Sequence, residues 1–201
     1  MRIIKNTKKR LLNAAAKLFA QKGYEATGTR EICQAAGANV CLIPYYFGGK
    51  QGLYDAITND IIQKETEFIA QFIDINTDLF ALSQKERIDL LMLFLDKLVD
   101  FYYTNITLDL VFFLIKERQK TFNTNSSPAL VFLRKLVACI WRKDFDDKDV
   151  IFKVVYIIAL VNSLQIIPVF VENEPTLEDI SSLKDNVKKY IKMLLEDEKC
   201  F

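Results

Sequence analysis

Apolar residues recur along this chain in steps of three and four, the spacing that gathers side chains on one face of a helix. Leu11, Leu12, Ala15, Leu18 and Phe19 form the first such stripe and predict a helix over about 8–22, with Gly23 behind it as a stop signal. Lys17 and Lys22 favour its C-terminal half, where the helix dipole attracts cations. Residues 1–7 read as a short basic arm. Ile32 and Ala36 are four apart, Ile43 and Phe47 repeat that spacing, and Gly37 stands between the pairs. This predicts two short helices around a turn. Gly tolerates the left-handed conformation that ends the first, and the Asn39 side chain can cap the second by accepting an orphan N–H. Two short helices joined by a tight Gly turn make a helix-turn-helix, whose second helix enters the DNA major groove. Pro44 removes one hydrogen bond and disfavours helical geometry at Ile43. Either the second helix starts late, with Pro44 in its first turn, or it is distorted.

The pattern stays helical after Gly48-Gly49. Leu53, Ile57, Ile61, Phe68 and Phe72 share one face of a long helix from Gln51 to about Ile73. Ser83 with Glu86 is a capping box opening a helix that carries Ile88, Leu91, Met92, Leu95, Leu98, Val99 and Tyr102 on its apolar side. Leu108, Val111, Phe112 and Ile115 start another. After the polar run 121–127, Ser127-Pro128 reads as a cap with Pro at the first helical position, ahead of Leu130, Leu133, Leu136, Val137 and Ile140. Phe145 to Asp149 is an acidic turn. Thr176 and Asp179 open the last helix, whose stripe is Ile180, Leu183, Val187, Ile191 and Leu194. No strand pair or hairpin signal intervenes, so the fold class is all-α.

Val154 to Val171 is a run of 18 residues without a charge. Its length admits a membrane span. Against that stand Asn162, Ser163, Gln165 and Pro168 inside it, and flanks (Lys153, Glu172) without a basic cluster. A helix apolar all round also suits burial in a protein core, or burial between its own domain and a second subunit.

Composition adds an asymmetry. The net charge is only +1, but residues 1–50 hold nine Lys and Arg against two Glu, a net of +7, so the remainder carries 18 basic and 24 acidic residues, a net of −6. A basic head on an acidic body suits a polyanion at the head. There is no His, which removes the commonest general base and metal ligand. Cys33, Cys41, Cys139 and Cys200 form no C-x-x-C pair, and no signal peptide precedes the first helix; together these point to free thiols in a reducing cytoplasm. No metal site or cofactor is called for. An all-α enzyme would need a polar constellation, and the densest acidic and basic clusters, Glu117-Arg118 and Asp146-Asp147, read as solvated helix ends.

Residues 8–56 resemble the DNA-binding segment of the TetR family of bacterial transcriptional regulators. The positions that carry the resemblance are Leu18-Phe19, Gly23-Tyr24, Thr27, Ile32, Ala36-Gly37, Ile43, Tyr46-Phe47, Lys50 and Leu53. Asn39, Cys41 and Pro44 depart from the Ser, Gly and Tyr of the family pattern. The resemblance implies a helix-turn-helix DNA-binding domain over 1–50 and a larger helical ligand-binding and dimerisation domain over 51–201, linked by the helix that follows Lys50. Carried over position by position, Arg30, Asn39, Val40, Leu42 and Tyr45 would meet base edges, while Thr29, Tyr46 and Lys50 would meet phosphates. The implied partners are double-stranded operator DNA, a small-molecule effector and a second copy of the chain, with no membrane. A homodimer bundle would use Val154, Ile158, Val161, Gln165, Val187 and Ile191. A pocket among the middle helices would draw on Phe94, Leu98, Tyr102, Phe112, Lys116, Leu133 and Asn162, and its apolar character suits a flat or greasy ligand. The expected function is a ligand-responsive repressor. The alternative is a membrane-associated or protein-interaction module with an incidental helix-turn-helix.

Overall fold

A computed structural model describes residues 2–106, 127–163 and 176–197, and every regular element among them is a helix. The helices are α1 (Arg2–Lys22), α2 (Thr29–Ala35), α3 (Leu42–Phe47), α4 (Lys50–Ile69), α5 (Gln84–Asn105), α6 (Pro128–Trp141), α7 (Lys148–Val161) and α8 (Leu177–Asp197). The helix expected from Leu108 lies outside the described residues. The described residues divide into two compact units, 2–64 with Ile106, and 65–105 with 127–163 and 176–197.

In the first unit α1 begins at Arg2, so the expected basic arm at residues 1–7 is helical from its second residue. R-I-I-K-N-T-K contains neither Gly nor Pro, and nothing interrupts the helix on its way back to the N-terminus. Leu11, Ala15 and Phe19 of α1, Ile32 of α2, Ile43 of α3, and Leu53 and Ile57 of α4 are buried together as its core. Phe19, Tyr24 and Tyr54 form an aromatic triangle with ring centroids 5.4–6.2 Å apart. Buried Thr27 donates its hydroxyl to the Gly23 carbonyl at 2.8 Å, tying the connection between α1 and α2 to the end of α1.

In the second unit α5 packs on α6, α7 and α8, and α7 packs on α6 and α8. The start signals read from sequence are present as hydrogen bonds. Ser83 N–H donates to Glu86 Oε2 at 2.8 Å and Ser83 Oγ accepts from Glu86 N–H at 3.3 Å. Ser127 Oγ caps α6 by accepting the Leu130 N–H, and Thr176 and Asp179 cap each other ahead of α8. Helix α4 ends four residues earlier than expected, at Ile69. The chain leaves helical geometry there, so Ile69 and Ile73 are buried and Phe72 points outward.

Glu65 of α4 is buried with two hydroxyl donors, Tyr102 Oη at 3.2 Å and Ser127 Oγ at 2.6 Å. A carboxyl out of water costs free energy unless it is hydrogen-bonded, so these donors are required partners. Helix α8 buries Leu183, Val187 and Ile191 and is fastened to α5 by ion pairs. Lys184 reaches Asp100 at 2.6 Å and Asp96 at 3.4 Å, and Lys188 reaches Asp96 at 3.6 Å.

Burial works to push the Asp96 carboxyl up, but Lys184 and Lys97 outweigh it and hold it below its ordinary range. A folded value below the unfolded one, about 3.9, means that these pairs stabilise fully above that pH and are lost as pH falls through the folded value. Asp96→Asn is therefore expected to cost about 0.5–1 kcal/mol at pH 7, the modest figure reflecting partial solvent screening. Urea titrations at pH 7 and near pH 3 check this: the gap between variant and parent should close in acid, and an undiminished gap would refute the ionic origin.

Candidate nucleic-acid interface

The head presents a short helix on a fixed base. α2 ends in a Schellman turn, with Gly37 at φ 57°, its N–H bonded to the Gln34 carbonyl at 3.1 Å and the Ala38 N–H bonded to the Cys33 carbonyl at 2.9 Å. Asn39 then accepts the Cys41 N–H on its side chain at 2.9 Å and the Leu42 N–H on its carbonyl at 3.0 Å, opening the turn that leads into α3. The helix itself starts at Leu42, two residues after the turn begins, with Cys41 as its N-cap residue. Pro44 therefore sits in the first turn, where its missing N–H leaves no helical bond unmade, and of the two readings of this proline the late start is the one observed.

α3 is pinned on one side by Ile43, which is buried. On the other side Tyr45 is 78% and Val40 42% exposed. Asn39 and Arg30 are exposed, while Thr29, Leu42, Tyr46 and Lys50 are half-buried. Arg30 is the second residue of α2; Glu31 beside it pairs with Lys22, so Arg30 is left without an acidic partner among the described residues. Lys50 opens α4 with its ammonium 4.3 Å from the centre of the Tyr24 ring and 3.4 Å from the Glu25 carbonyl oxygen. Lys8 of α1 stands over Phe47 at 5.5 Å. Burial, with a smaller push from Cys41, raises the Cys33 thiol, while Cys41 itself is exposed at the start of α3.

One glycine sets the approach of α3 to α4. A Cβ placed on Gly52 would stand 1.8 Å from the Phe47 carbonyl oxygen, so no side chain fits at position 52. The apolar spacing does not single out Gly52, although an isolated Gly inside a helical pattern points to a packing reason.

Residues 11–57 match the family model described as "Bacterial regulatory proteins, tetR family". The head is a TetR-type DNA-binding segment. It is 32% identical over 129 residues to the probable HTH-type transcriptional regulator YttP of Bacillus subtilis (strain 168), a match covering 58% of each chain. To the HTH-type transcriptional dual regulator CecR of Shigella flexneri it is 40% identical over 80 residues, 40% of this chain and 35% of that one. The chain thus spans little more than half the length of one of these relatives and about a third of the other. Among solved structures, HlyIIR, a hemolysin II transcriptional regulator, covers 91% of this chain at a TM-score of 0.57 and 19% identity, with 97% of its own length matched. A transcriptional regulator from Aquifex aeolicus VF5 covers 94% at 0.55 and 19%, with 99% of its length matched. At such identities these two describe a shared fold.

The residues expected to line an effector pocket fall in the core of the second unit. Phe94, Leu98, Tyr102 and Leu133 are buried, and Asn162 donates its side-chain N–H to the Ile158 carbonyl at 2.8 Å as the cap of α7. Phe112 and Lys116 lie outside the described residues, as does Gln165 of the expected dimer face. Val154, Ile158, Val161, Val187 and Ile191, the rest of that face, are buried within their own unit. The outward apolar stripe of α7 is a different one: Phe152 and Tyr156, each 60% exposed, with Ile151 and Val155. Both stripes repeat at helical spacing, so periodicity alone could not assign either to the core. Glu65 was also missed, although it stands one step of four beyond Leu53, Ile57 and Ile61 on the apolar face of α4.

Gly52→Ala is expected to destabilise the head by about 1–3 kcal/mol, the cost of forcing α3 and α4 apart. Chemical denaturation followed by tyrosine fluorescence would measure it; a variant as stable as its parent would show that the approach is not rigid.

Proposed function

We propose that the chain is a transcriptional regulator that binds operator DNA through residues 1–50 and binds an effector and a second copy of itself through residues 51–201. The observation that carries this reading is the exposed surface of the turn before α3 and of α3 itself, with Asn39, Val40 and Tyr45, flanked by Arg30 and Lys50. Arg pairs bidentately with guanine, Val and Leu side chains touch thymine methyls, and hydroxyl and ammonium groups suit phosphate oxygens. Thr29, Tyr46 and Lys50 are given the phosphates; Arg30, Asn39, Val40, Leu42 and Tyr45 the bases. Regulation is repression, relieved by a small apolar or aromatic effector. A relative in Rhodococcus jostii (strain RHA1), 36% identical over 76 residues, is named as the transcriptional repressor KstR2, which supports the sign of the effect. The membrane-module alternative is not favoured: no helix among the described residues is long and apolar enough to cross a membrane, and residues 164–171 of the uncharged run lie outside them.

Two copies would set their α3 helices about one DNA turn, 34–36 Å, apart on a palindromic site. The site is found by selecting sequences from a random duplex pool and measuring affinity by polarisation over a salt series. Lys50→Ala should weaken all sequences alike and lower the salt slope by about one unit. Arg30→Ala should instead relax sequence preference by about 1–3 kcal/mol at its base pair. No enrichment of any sequence from the pool would sink the DNA-binding reading.

The second copy is assigned to the outward stripe of α7, where Phe152 and Tyr156 offer unpartnered aromatic area. Tyr156→Arg is expected to give a folded monomer. Ile158→Arg, which buries an unpaired charge in the chain's own core, is expected to unfold it. Sedimentation and circular dichroism separate the two, and a Tyr156→Arg protein that still sediments as a dimer would move the interface elsewhere.

A further inference from the structure

A cleft of about 780 Å³ opens on the second unit, away from the residues expected to hold an effector. Its walls come from residues 75–80, the first turns of α5, the C-terminal half of α6 and the turn that follows it, so neither Phe94, Leu98 nor Tyr102 contributes. The volume is that of a site for a drug-sized molecule.

Three observations define what it would accept. Phe132, Leu79 and Ala138 give it an apolar floor, with Phe145 at the side. At its lip Phe80 is 83% exposed, yet its backbone is held: its N–H donates to Asp78 Oδ1 at 3.0 Å and its carbonyl accepts from the Arg87 guanidinium at 3.3 Å. A large aromatic ring held at the lip by its backbone and exposed to water is an open apolar contact surface. The charge is the third. Arg87, Lys135, Arg142 and Lys143 line the cleft against Asp78 and Asp144. Lys143 is taken by Asp149 at 2.6 Å, but Lys135 and Arg142 have no acidic partner among the described residues. Arg142 also ends α6 in the left-handed conformation, at φ 53° and ψ 42°, a place that Gly fills at no steric cost. A strained non-Gly residue beside a cleft marks a position where the side chain, not the backbone, is wanted.

We infer that this cleft binds an organic anion with a flat apolar body, the ring system packing against Phe145 and Phe80 and the anionic group meeting Arg142 and Lys135. An aromatic carboxylate or sulfonate has this chemistry. The inference goes beyond the DNA-binding reading and does not depend on it, because it concerns occupation of the cleft alone.

The test uses the full chain and 1-anilinonaphthalene-8-sulfonate, with its uncharged relative N-phenyl-1-naphthylamine as control, and contains no DNA. Cys139 lines the cleft and Cys41 is exposed on the other unit, so iodoacetamide labelling read by mass spectrometry reports location. The sulfonate should protect Cys139 and leave Cys41 reactive. Arg142→Gly removes the cation and the backbone strain together, so the variant should melt about 2–4 °C higher than the parent. Its Kd for the sulfonate should nevertheless rise about tenfold, the loss of one charge-assisted contact, with the neutral probe unchanged. A better-folded protein that binds worse cannot be explained by misfolding. Lys135→Gln should act in the same direction on the sulfonate alone. Unprotected Cys139, equal loss of both probes, or an unchanged sulfonate Kd in Arg142→Gly would each overturn the assignment.

Discussion

The arrangement of the head depends on one steric constraint, the passage of the Phe47 carbonyl across the bare α-carbon of Gly52. Because position 52 has no side chain, the end of α3 lies directly on the first turn of α4. Ile43 and Leu53 can then be buried in a common core with Phe19 and Ile32. Burying Ile43 fixes which way α3 faces, so the exposure of Val40 and Tyr45 follows from the same approach. A protein interior packed at crystal density transmits such a constraint, since it offers few voids into which α3 could retreat.

Much of this was legible in the sequence, and the legible parts are local. A cap and its partner sit within three residues of each other, so Ser83 with Glu86 and Thr176 with Asp179 declare themselves without any tertiary contact. Gly37 and Asn39 did the same for the turn between α2 and α3. What sequence could not settle needed knowledge of a neighbour. α7 is apolar on two faces, and only the packing of α5, α6 and α8 decides that Val154 and Ile158 go inward while Phe152 and Tyr156 go outward. The α4 stripe was followed past Ile69 because periodicity carries no signal for where a helix leaves its axis. The cleft between residues 75–80 and the end of α6 joins segments more than fifty positions apart, and no spacing rule reaches that far.

The second unit also contrasts two kinds of polar contact. The ion pairs of Asp96 and Asp100 with Lys184 lie near water, where competition from solvent and salt makes each pair weak, and their number rather than their individual strength secures α8. Glu65 is the opposite case. It is buried and accepts hydrogen bonds from the hydroxyls of Tyr102 and Ser127, in surroundings where an unmade hydrogen bond carries its full desolvation cost. The N-terminus of α6 is bound into that arrangement, since Ser127 both caps the helix and donates to the carboxyl. Loss of this one hydroxyl would therefore be felt at the helix end and at the buried acid together.

A second copy seated on the outward stripe of α7 would tie the stability of the fold to the law of mass action. Phe152 and Tyr156 stand exposed there, and if a second copy covers them, folding and association share one equilibrium. The melting temperature of such a protein rises with its own concentration, and dilution removes stability without changing a single intrachain contact.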